Sequence, residues 1–313
     1  MRPCPARFTL VVASVLVALG SAGSDAHAQA WVGDKGALEL SLDYNLGISD
    51  KVVQDIGPDN LNAGTTTHQV TLGGEYVPVT GLAVSVGLPF VLLKYTGDKA
   101  AYPHPGGGSY DDGSMHATLT DLRAGVRYQV LEEPFALTPH VAVSIPVADY
   151  ETVGNTVAGR HLKALHLGLG IGRVFGEATY VHLLYEFSLV EKYDRTTETK
   201  KIGQDRSDFA FTIGHKLLDQ RLDLHVDVNG RVAHGGVNFS EVNFNDINMP
   251  SPASDVPKYH DAILKENIVL VGGGLGYQLT DSLGASLSAR LFVAGSNTQN
   301  ASVLALGMTW SPR

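Results

Sequence analysis

Three histidines are the residues of this sequence whose type and spacing most directly suggest chemistry. His140, His166 and His182 lie in three successive stretches of alternating apolar and polar residues. Three imidazoles can hold a zinc ion whose fourth position stays open for water. Zinc binding would require the three side chains to lie side by side, and the sequence does not determine their relative positions. Hydrogen bonding of each histidine within a polar lining does not require that they lie close to one another. We therefore predict no metal and no other cofactor, and stoichiometric zinc in the refolded protein would contradict that prediction.

Nucleophilic catalysis is the second chemistry to weigh. A serine nucleophile needs a histidine base within hydrogen-bond reach, and some barrel phospholipases place the two residues two positions apart on one strand. Residues 29–313 contain no His-x-Ser sequence. His140 and Ser144 are four residues apart, which is about 13 Å along a strand at ~3.3 Å per residue. We therefore predict that the protein is not an enzyme, and lipid hydrolysis by the purified protein would contradict this.

Residues 1–28 have the three parts of a secretory signal peptide. Arg2 and Arg7 give a positive start, residues 8–20 form an apolar run, and residues 26–28 form a small-x-small cleavage site. The apolar run is shorter than the ~20 residues that a helix needs to span a bilayer. We expect cleavage after residue 28, which leaves residues 29–313 as a single domain.

Composition narrows the class further. Cys4 is the only cysteine and lies in the segment that would be removed, so the exported part would have no disulfide, no cysteine nucleophile and no cysteine-ligated metal. Charged residues are 18% of the chain, below the ~25% of an ordinary soluble domain. The net charge of −9 opposes nucleic-acid binding, which requires a basic surface. Mean hydropathy is +0.03, as expected when lipid-facing and water-facing residues alternate.

Strict alternation of apolar and polar residues shows which elements would position the histidines and charges. In residues 38–48 every even-numbered residue is apolar or aromatic, whereas residues 39, 41, 43 and 45 are polar. Such a period of two indicates a strand with one apolar and one wet face. The period recurs at 82–92, 122–130, 181–187, 222–228 and 283–293.

The pattern predicts twelve strands, to within two, and an alternation of connection lengths. The strands lie near 37–48, 66–77, 81–93, 117–131, 135–147, 162–174, 178–189, 207–217, 221–232, 264–278, 282–294 and 300–310. Short turns alternate with long polar links at 49–65, 94–116, 148–161, 190–206 and 233–263, and only the link 295–299 is brief. Aromatic residues, Tyr76, Tyr180 and Trp310 among them, cluster near strand ends, where the girdles of a membrane barrel lie. We predict an all-β fold, a single antiparallel transmembrane β-barrel with short periplasmic turns and long extracellular loops, rather than a soluble sandwich.

The same alternation assigns charged residues to the barrel interior. The lumen-lining candidates are Glu39, Asp43, Glu75, Arg123, Arg127, His140, His166, His182, Glu186, Asp223, His225, Asp227, Arg231 and Arg290. One interpretation is a solvated or salt-bridged wall, in which opposite charges pair across strands. The other is a constriction that selects what passes. A barrel of about twelve strands is smaller than the open porins of roughly 16–18 strands, so we expect a narrow or gated pore.

Two stretches resemble an outer-membrane family. Residues 120–128 read TDLRAGVRY, and residues 144–150, after a hairpin, read SIPVADY. They resemble the family called "meta-pathway of phenol degradation" or simply "transporter", whose members carry a Gly-Asp-Leu…Gly…Lys/Arg-Tyr strand and a Pro-Thr-Gly-Asp-like element. Thr120 stands here in place of the usual glycine, and Val147-Ala148 in place of the usual Thr-Gly. The likeness is clearest over 115–190, and it implies uptake of small organic compounds, with aromatic or hydrophobic ones as candidates.

The combined prediction is a narrow channel in the cell outer membrane for passive uptake of small organic compounds. Its partners would be outer-membrane lipid and lipopolysaccharide, the barrel-assembly machinery during biogenesis, and the small-molecule solute, with no nucleic acid. An outer-membrane lipid-modifying enzyme is one alternative. A fatty-acid-type uptake barrel is another, but it would need a plug of several tens of residues, whereas residues 29–36 are all that would precede the first strand of the exported part.

A structural or surface-interaction barrel without transport is the third alternative. Its functional parts would be the loops 102–113, with Asp111 and Asp112 at the tip, and 234–261, which would bind partners or ions. Discrete conductance in planar bilayers would favour transport, and a silent barrel would favour the interaction role.

Overall fold

A computed structural model describes residues 30–55, 63–97, 111–194, 201–241 and 260–312. The predicted signal peptide lies outside the described residues. So do most of the loop 102–113 and a large part of the loop 234–261.

Twelve strands form the wall of the described structure, each beginning or ending within a few residues of its predicted position. They are β1 (Leu38–Ser49), β2 (Thr65–Val79), β3 (Leu82–Tyr95), β4 (Met115–Leu119 and Asp121–Tyr128), β5 (Ala136–Pro146), β6 (Ala164–Phe175), β7 (Thr179–Val190), β8 (Arg206–Leu217), β9 (Leu222–Ala233), β10 (Asn267–Thr280), β11 (Leu283–Ser296) and β12 (Ser302–Trp310). Strand β4 is interrupted at Thr120, whose backbone N–H still donates to the carbonyl of Pro89 on β3. Both segments of β4 therefore belong to one strand of the wall.

The sheet closes on itself. Each strand pairs antiparallel with the next in sequence, and β12 pairs with both β11 and β1, where Leu40 lies opposite Trp310 and Ile48 opposite Ser302. Closure removes the unpaired edges of the sheet, so that the backbone hydrogen bonds of the wall are satisfied within it, as a lipid environment demands. The prediction of a twelve-stranded antiparallel barrel is confirmed.

Apolar side chains cover the outside of the barrel. Alternate residues along every strand expose a large apolar or aromatic side chain, and Leu72, Val226 and Leu291 are each more than 60% exposed. Apolar surface on this scale would be unfavourable in water at about 25 cal/mol per Å², and it marks the face that contacts lipid. In the described parts of the chain, no helix is long and apolar enough to cross a membrane.

The two ends of the barrel differ in their connections. Four tight turns, which join β2–β3, β6–β7, β8–β9 and β10–β11, and a seven-residue connection between β4 and β5 lie at the end that we call the inner end. The connections at the opposite, outer end are longer, except for residues 297–301 between β11 and β12. They contain a 3₁₀ turn at Phe239–Glu241, a single helical turn, α1 (His260–Ile263), and a two-residue ladder between Val52–Val53 and Thr298–Gln299.

The described parts of the outer loops pack against one another. One buried apolar cluster joins Leu162, Tyr193, Ala262 and Ile263. A second joins Val52, Ala63, Tyr95, Phe239 and Leu264. The apolar core of this protein therefore lies beneath its loops, whereas the buried residues within the wall are mostly polar or charged.

Candidate functional site

One hydrogen-bonded row of the wall carries a series of charged and titratable residues. It crosses β4 to β9 through paired positions: Arg127, His140, Gly168, Glu186, Asp208 and Arg231. Four of these six residues belong to the predicted lining. Asp208 was missed, although it has the same parity in β8 as the buried Thr212 and alternates with the exposed Phe211 and Ile213.

Glu186 on β7 is the centre of the largest cluster in this row. Its carboxylate accepts two hydrogen bonds from Arg123 on β4, at 3.2 and 2.5 Å, and lies 2.8 Å from His140 Nε2. His166 Nδ1 lies 3.1 Å from the other carboxylate oxygen. Two strands separate β4 from β7, so the Arg123–Glu186 pair bridges the curved wall on its concave side. Bidentate guanidinium–carboxylate pairs of this kind fix side chains in both position and orientation.

Gly168 allows His140 to reach Glu186. His140 and Glu186 lie on β5 and β7, with Gly168 of β6 between them in the row. A Cβ atom at Gly168 would lie 2.2 Å from His140 Cε1 and 2.6 Å from the backbone oxygen of Tyr185. The imidazole therefore lies across the glycine, and any side chain at this position would displace it.

The same arrangement recurs on the other side of the barrel. Arg290 on β11 hydrogen-bonds Asp227 on β9, and Gly272 of β10 is paired with both residues. A Cβ atom at Gly272 would come within 2.7 Å of Arg290 Cγ and 2.2 Å of the carbonyl oxygen of Ala289. Asp227 also accepts a hydrogen bond from Asn229 Nδ2 at 2.6 Å. In both places an inward-facing glycine separates the two residues of an ion pair in the same row. Once the strand register is known, a glycine between two polar residues of one row therefore predicts such a pair.

A second charge network lies towards the outer end. Arg231 donates to Asp208 at 2.6 Å and to Glu266 at 3.2 Å. Glu266 also accepts from Arg160 Nη2 at 3.2 Å and from Thr298 Oγ1 at 3.0 Å. Arg160, Glu266 and Thr298 come from three different loops. The alternation pattern could not have indicated them, because it applies only to strands.

Two smaller groups of predicted residues lie nearer the inner end. Arg127 donates to Glu75 on β2 at 2.5 Å. Asp223 accepts from Tyr180 Oη at 3.0 Å and lies 3.2 Å from His225 Nδ1. The expectation that Tyr180 belongs to an aromatic girdle is wrong, because its side chain is buried on the inner face of β7, where its ring lies over Gly214.

The remaining predicted lining residues have separate surroundings. Asp43 is buried and accepts from Ser41 Oγ at 3.0 Å. Glu39 is paired in the β1–β2 register with Glu75. His182 is almost fully buried, and its ring centroid lies 6.4 Å from that of Trp31. His140 and His166 thus lie beside the same carboxylate, that of Glu186, whereas His182 lies beside the indole ring of Trp31.

The described residues contain no group of three or more His, Cys, Asp or Glu side chains that could hold a metal ion. His140 and His166 are instead close to oxygen atoms of Glu186, Ser144 and Ser188. These contacts are those of a hydrogen-bonded lining.

Ser144, His166 and Glu186 form a sequence of contacts that resembles a nucleophile, its base and an orienting carboxylate. Ser144 Oγ lies 2.8 Å from His166 Nε2, and His166 Nδ1 lies 3.1 Å from Glu186. Ser144 and His166 lie on neighbouring strands, so distances along a single strand do not predict this contact.

Three features oppose catalysis at this serine. Ser188 Oγ lies 2.8 Å from His166 Nδ1 and competes with the carboxylate for it. Glu186 is already paired with Arg123 and with His140, so its carboxylate is not devoted to orienting His166. The surrounding backbone of β5, β6 and β7 is engaged in interstrand pairing, so its N–H groups are not free to form an oxyanion hole.

A short segment before β1 occupies part of the inner mouth. Ala30 is fully buried, and its backbone oxygen accepts from Thr138 Oγ1 of β5 at 2.6 Å. The Trp31 ring lies against Gly172 of β6. These few residues enter the mouth. They do not amount to the plug of several tens of residues that a fatty-acid-type barrel would need.

A cavity of about 190 Å³ lies at the same end, on the opposite side of the barrel. It is lined by residues of β8 to β12 and their turns, among them Lys216, Arg221, Asp223, His225 and Gly276. The inner mouth is therefore asymmetric, because chain fills it beside β5 and β6 and a cavity lies beside β8 to β12.

Asp111 connects two outer loops. It is buried, and its carboxylate accepts hydrogen bonds from the backbone N–H groups of Asn155 and Thr156 and from both of their side chains, at 2.8 to 3.2 Å. Asp112 is exposed, and hydrogen bonds from Ser114 lower its pKa below the ordinary value. The two aspartates thus differ in role, since Asp111 ties the β3–β4 loop to the β5–β6 loop and Asp112 faces solvent.

Comparison with known proteins identifies the fold. No family model and no curated protein matches the chain. Among solved structures, a COG4313 outer membrane channel from Pseudomonas putida F1 matches with a TM-score of 0.70 at 13% identity, over 91% of this chain and 98% of that one. The fold is that of an outer-membrane β-barrel.

More distant matches have the same architecture. The NanC porin matches with a TM-score of 0.50 at 7% identity, over 88% of this chain and all of that one. The translocator domain of the autotransporter NalP from Neisseria meningitidis matches with a TM-score of 0.51 at 9% identity, over 89% of each chain. Identities this low carry the fold and no residue role.

Proposed function

We propose that this chain is a narrow outer-membrane channel for the passive uptake of small organic compounds, and that it is not an enzyme. The observation that carries the proposal is the contrast between the two faces of the wall. The outer face is apolar, whereas the inner face holds ion pairs that join strands β2 with β4, β4 with β7 and β9 with β11. Polar groups enclosed by a membrane barrel are expected around a water-filled or solute-filled path.

The same ion pairs support a narrow path. Side chains that bridge two or three strands on the concave side of the wall take up space that a wider barrel would leave to water. The predicted lining residues Arg123, Glu186 and Arg231 would then form a constriction whose charge affects what passes. Compounds small enough for such a path are the proposed solutes, and the resemblance to the transporter family favours aromatic or hydrophobic ones.

Planar-bilayer recording of the refolded protein tests the proposal. We expect discrete conductance steps, and we expect Arg123→Gln to shift the ion selectivity towards cations because it removes a positive charge beside the path. Val143→Ala is the matched control, since Val143 is 40% exposed on the lipid face of β5. A correctly folded barrel that never conducts would contradict the channel and leave the surface-interaction alternative.

Export and envelope partners complete the proposal. The signal peptide would be removed after residue 28, and mass spectrometry of the membrane-inserted protein should show an N-terminus at Gln29. Outer-membrane lipid, lipopolysaccharide and the barrel-assembly machinery would be its partners, because an apolar exterior of this kind needs both a bilayer and a route into it.

The surface-interaction role is supported by a different observation. The outer loops bury apolar side chains in two clusters of their own, so they present a defined surface. Binding of the intact barrel to whole cells or matrix proteins, lost on replacement of a loop, would favour this role over transport.

A further inference from the structure

The segment before β1 follows a definite path across the inner mouth. Gly36 and Ala37 hydrogen-bond to Val77 at the end of β2. The backbone N–H of Val32 then donates to Gln129 Oε1, just after β4, at 2.7 Å. Trp31 reaches β6 and β7. We call residues 30–36 the N-terminal strap.

The strap is long enough to span the barrel. Twelve strands spaced about 4.8 Å apart and tilted by about 40° enclose a ring roughly 24 Å across. The seven residue-to-residue steps from Trp31 to Leu38 reach about 23 Å when extended at ~3.3 Å each. Strand β7 lies six strands from β1, which is half of the ring. The strap can therefore cross from the strand that it precedes to the opposite wall.

The wall is shaped to receive the strap. A Cβ atom at Gly172 would lie 2.4 Å from Trp31 Cη2 and 2.7 Å from the Cβ atom of Ala30. Thr138 is fully buried, and its hydroxyl donates to the Ala30 carbonyl. His182, also buried, lies beside the indole. A glycine, a buried hydroxyl and a histidine on three adjacent strands thus contact two consecutive residues of the strap.

We propose that the N-terminal strap closes the β5–β7 side of the inner mouth, and that Trp31 sets the size of the opening that remains. That opening is the cavity between β8 and β12, where Gly276 forms part of the lining. Solutes leave the barrel on that side. The second half of this proposal rests on the proposed channel function, whereas the placement of the strap does not.

The two tryptophans of the chain provide a matched pair for the test. Trp31 lies in the strap, and Trp310 lies at the end of β12 on the lipid face, 46% exposed. In Trp310→Phe, the remaining Trp31 fluorescence should resist brominated lipid and should be quenched by aqueous iodide less than free tryptophan, because Trp31 is half-buried. In Trp31→Phe, the remaining Trp310 fluorescence should be quenched by brominated lipid. Iodide quenching of Trp31 as strong as that of free tryptophan would overturn the placement.

Conductance tests the closure itself. Removal of an indole from a narrow mouth should raise the single-channel conductance of Trp31→Ala roughly two-fold or more, because a narrow constriction controls the current. Trp310→Ala should conduct like the parent protein. Unchanged conductance in Trp31→Ala, with Trp31 protected in the quenching experiment, would overturn the closure while the channel stands. A silent parent protein would overturn the channel and the closure, and the quenching result would still decide where the strap lies.

Discussion

Strands β6 and β10 have similar inner faces but different surroundings. Each carries glycines at three alternate inward positions, 168, 170 and 172 in β6 and 272, 274 and 276 in β10. On β6, His140 covers Gly168 and Trp31 covers Gly172. On β10, Arg290 covers Gly272, but a Cβ atom at Gly276 would meet only Asp223 Cβ, at 3.7 Å. A row of inward glycines therefore provides space, and side chains from elsewhere in the chain decide whether that space is filled.

The difference lies at the inner end of the interior, where the half around β6 is packed and the half around β10 is open beside Gly276. The β6 side is held by Glu186 and closed at the inner end by the N-terminal strap, whereas the β10 side opens on the cavity. Substitutions that act on one half and spare the other test this division.

The largest effect is expected from Glu186→Gln, which removes the charge that holds the packed half together. Arg123 and His140 lose their anionic partner, and loss of one member of a buried ion pair costs about 3 kcal/mol or more. Urea unfolding in detergent micelles should show this loss in the free energy of unfolding. Glu75→Gln is the control, since Glu75 has a single arginine partner and a more exposed side chain. An equal loss of unfolding free energy in the two variants would show that Glu186 contributes no more than a single ion pair.

Gly168→Ala and Gly276→Ala compare the two halves directly. The Cβ atom at residue 168 would displace His140 and press on the backbone of β7, and overpacking of this kind costs about 2 kcal/mol. At residue 276 there is ordinary contact distance, so we expect a change within about 0.5 kcal/mol. The same urea titration measures both. If both variants are as stable as the parent, there is free space beside Gly168, and the proposed tight packing of the β6 side is wrong.

An effect smaller than that of Gly168→Ala is expected from Thr138→Val. This substitution keeps the shape of the side chain but leaves the buried Ala30 carbonyl without its hydroxyl donor, at a cost of about 1 kcal/mol. In the Trp310→Phe background, iodide should then quench Trp31 more strongly than in the parent. Thr212→Val, at a buried threonine of β8, is the control. A rise in quenching in the control alone would contradict the role of Thr138.

The strands and their inward and outward faces were predictable from sequence because alternation is a local property. The pattern around Leu38 to Ile48 needs no knowledge of any other strand, and β1 is found there. Partners were not predictable, because they depend on register. Ser144 meets His166, and His140 meets Glu186, only through pairings between strands.

Residues outside the strands were beyond the reach of the pattern. Glu266 precedes β10 and joins Arg160 to Arg231, and Trp31 precedes β1, where alternation has not begun. Tyr180 was assigned to the wrong face because its aromatic character was given more importance than its parity. The aromatic type of a residue near a strand end is thus a weaker guide than its position in the alternation.

The hydrogen bonds of the N-terminal strap also constrain the order of assembly. They connect residues 97 and 108 positions apart, which are contacts of very high sequence separation. Such contacts form late, because the chain entropy lost in closing so long a loop is recovered only when the distant strands are in place. We therefore expect the mouth to stay open while β1 to β5 are being paired, and the strap to dock only after the wall that receives it exists. A variant without a docked strap should fold at the parental rate and differ only in its final step.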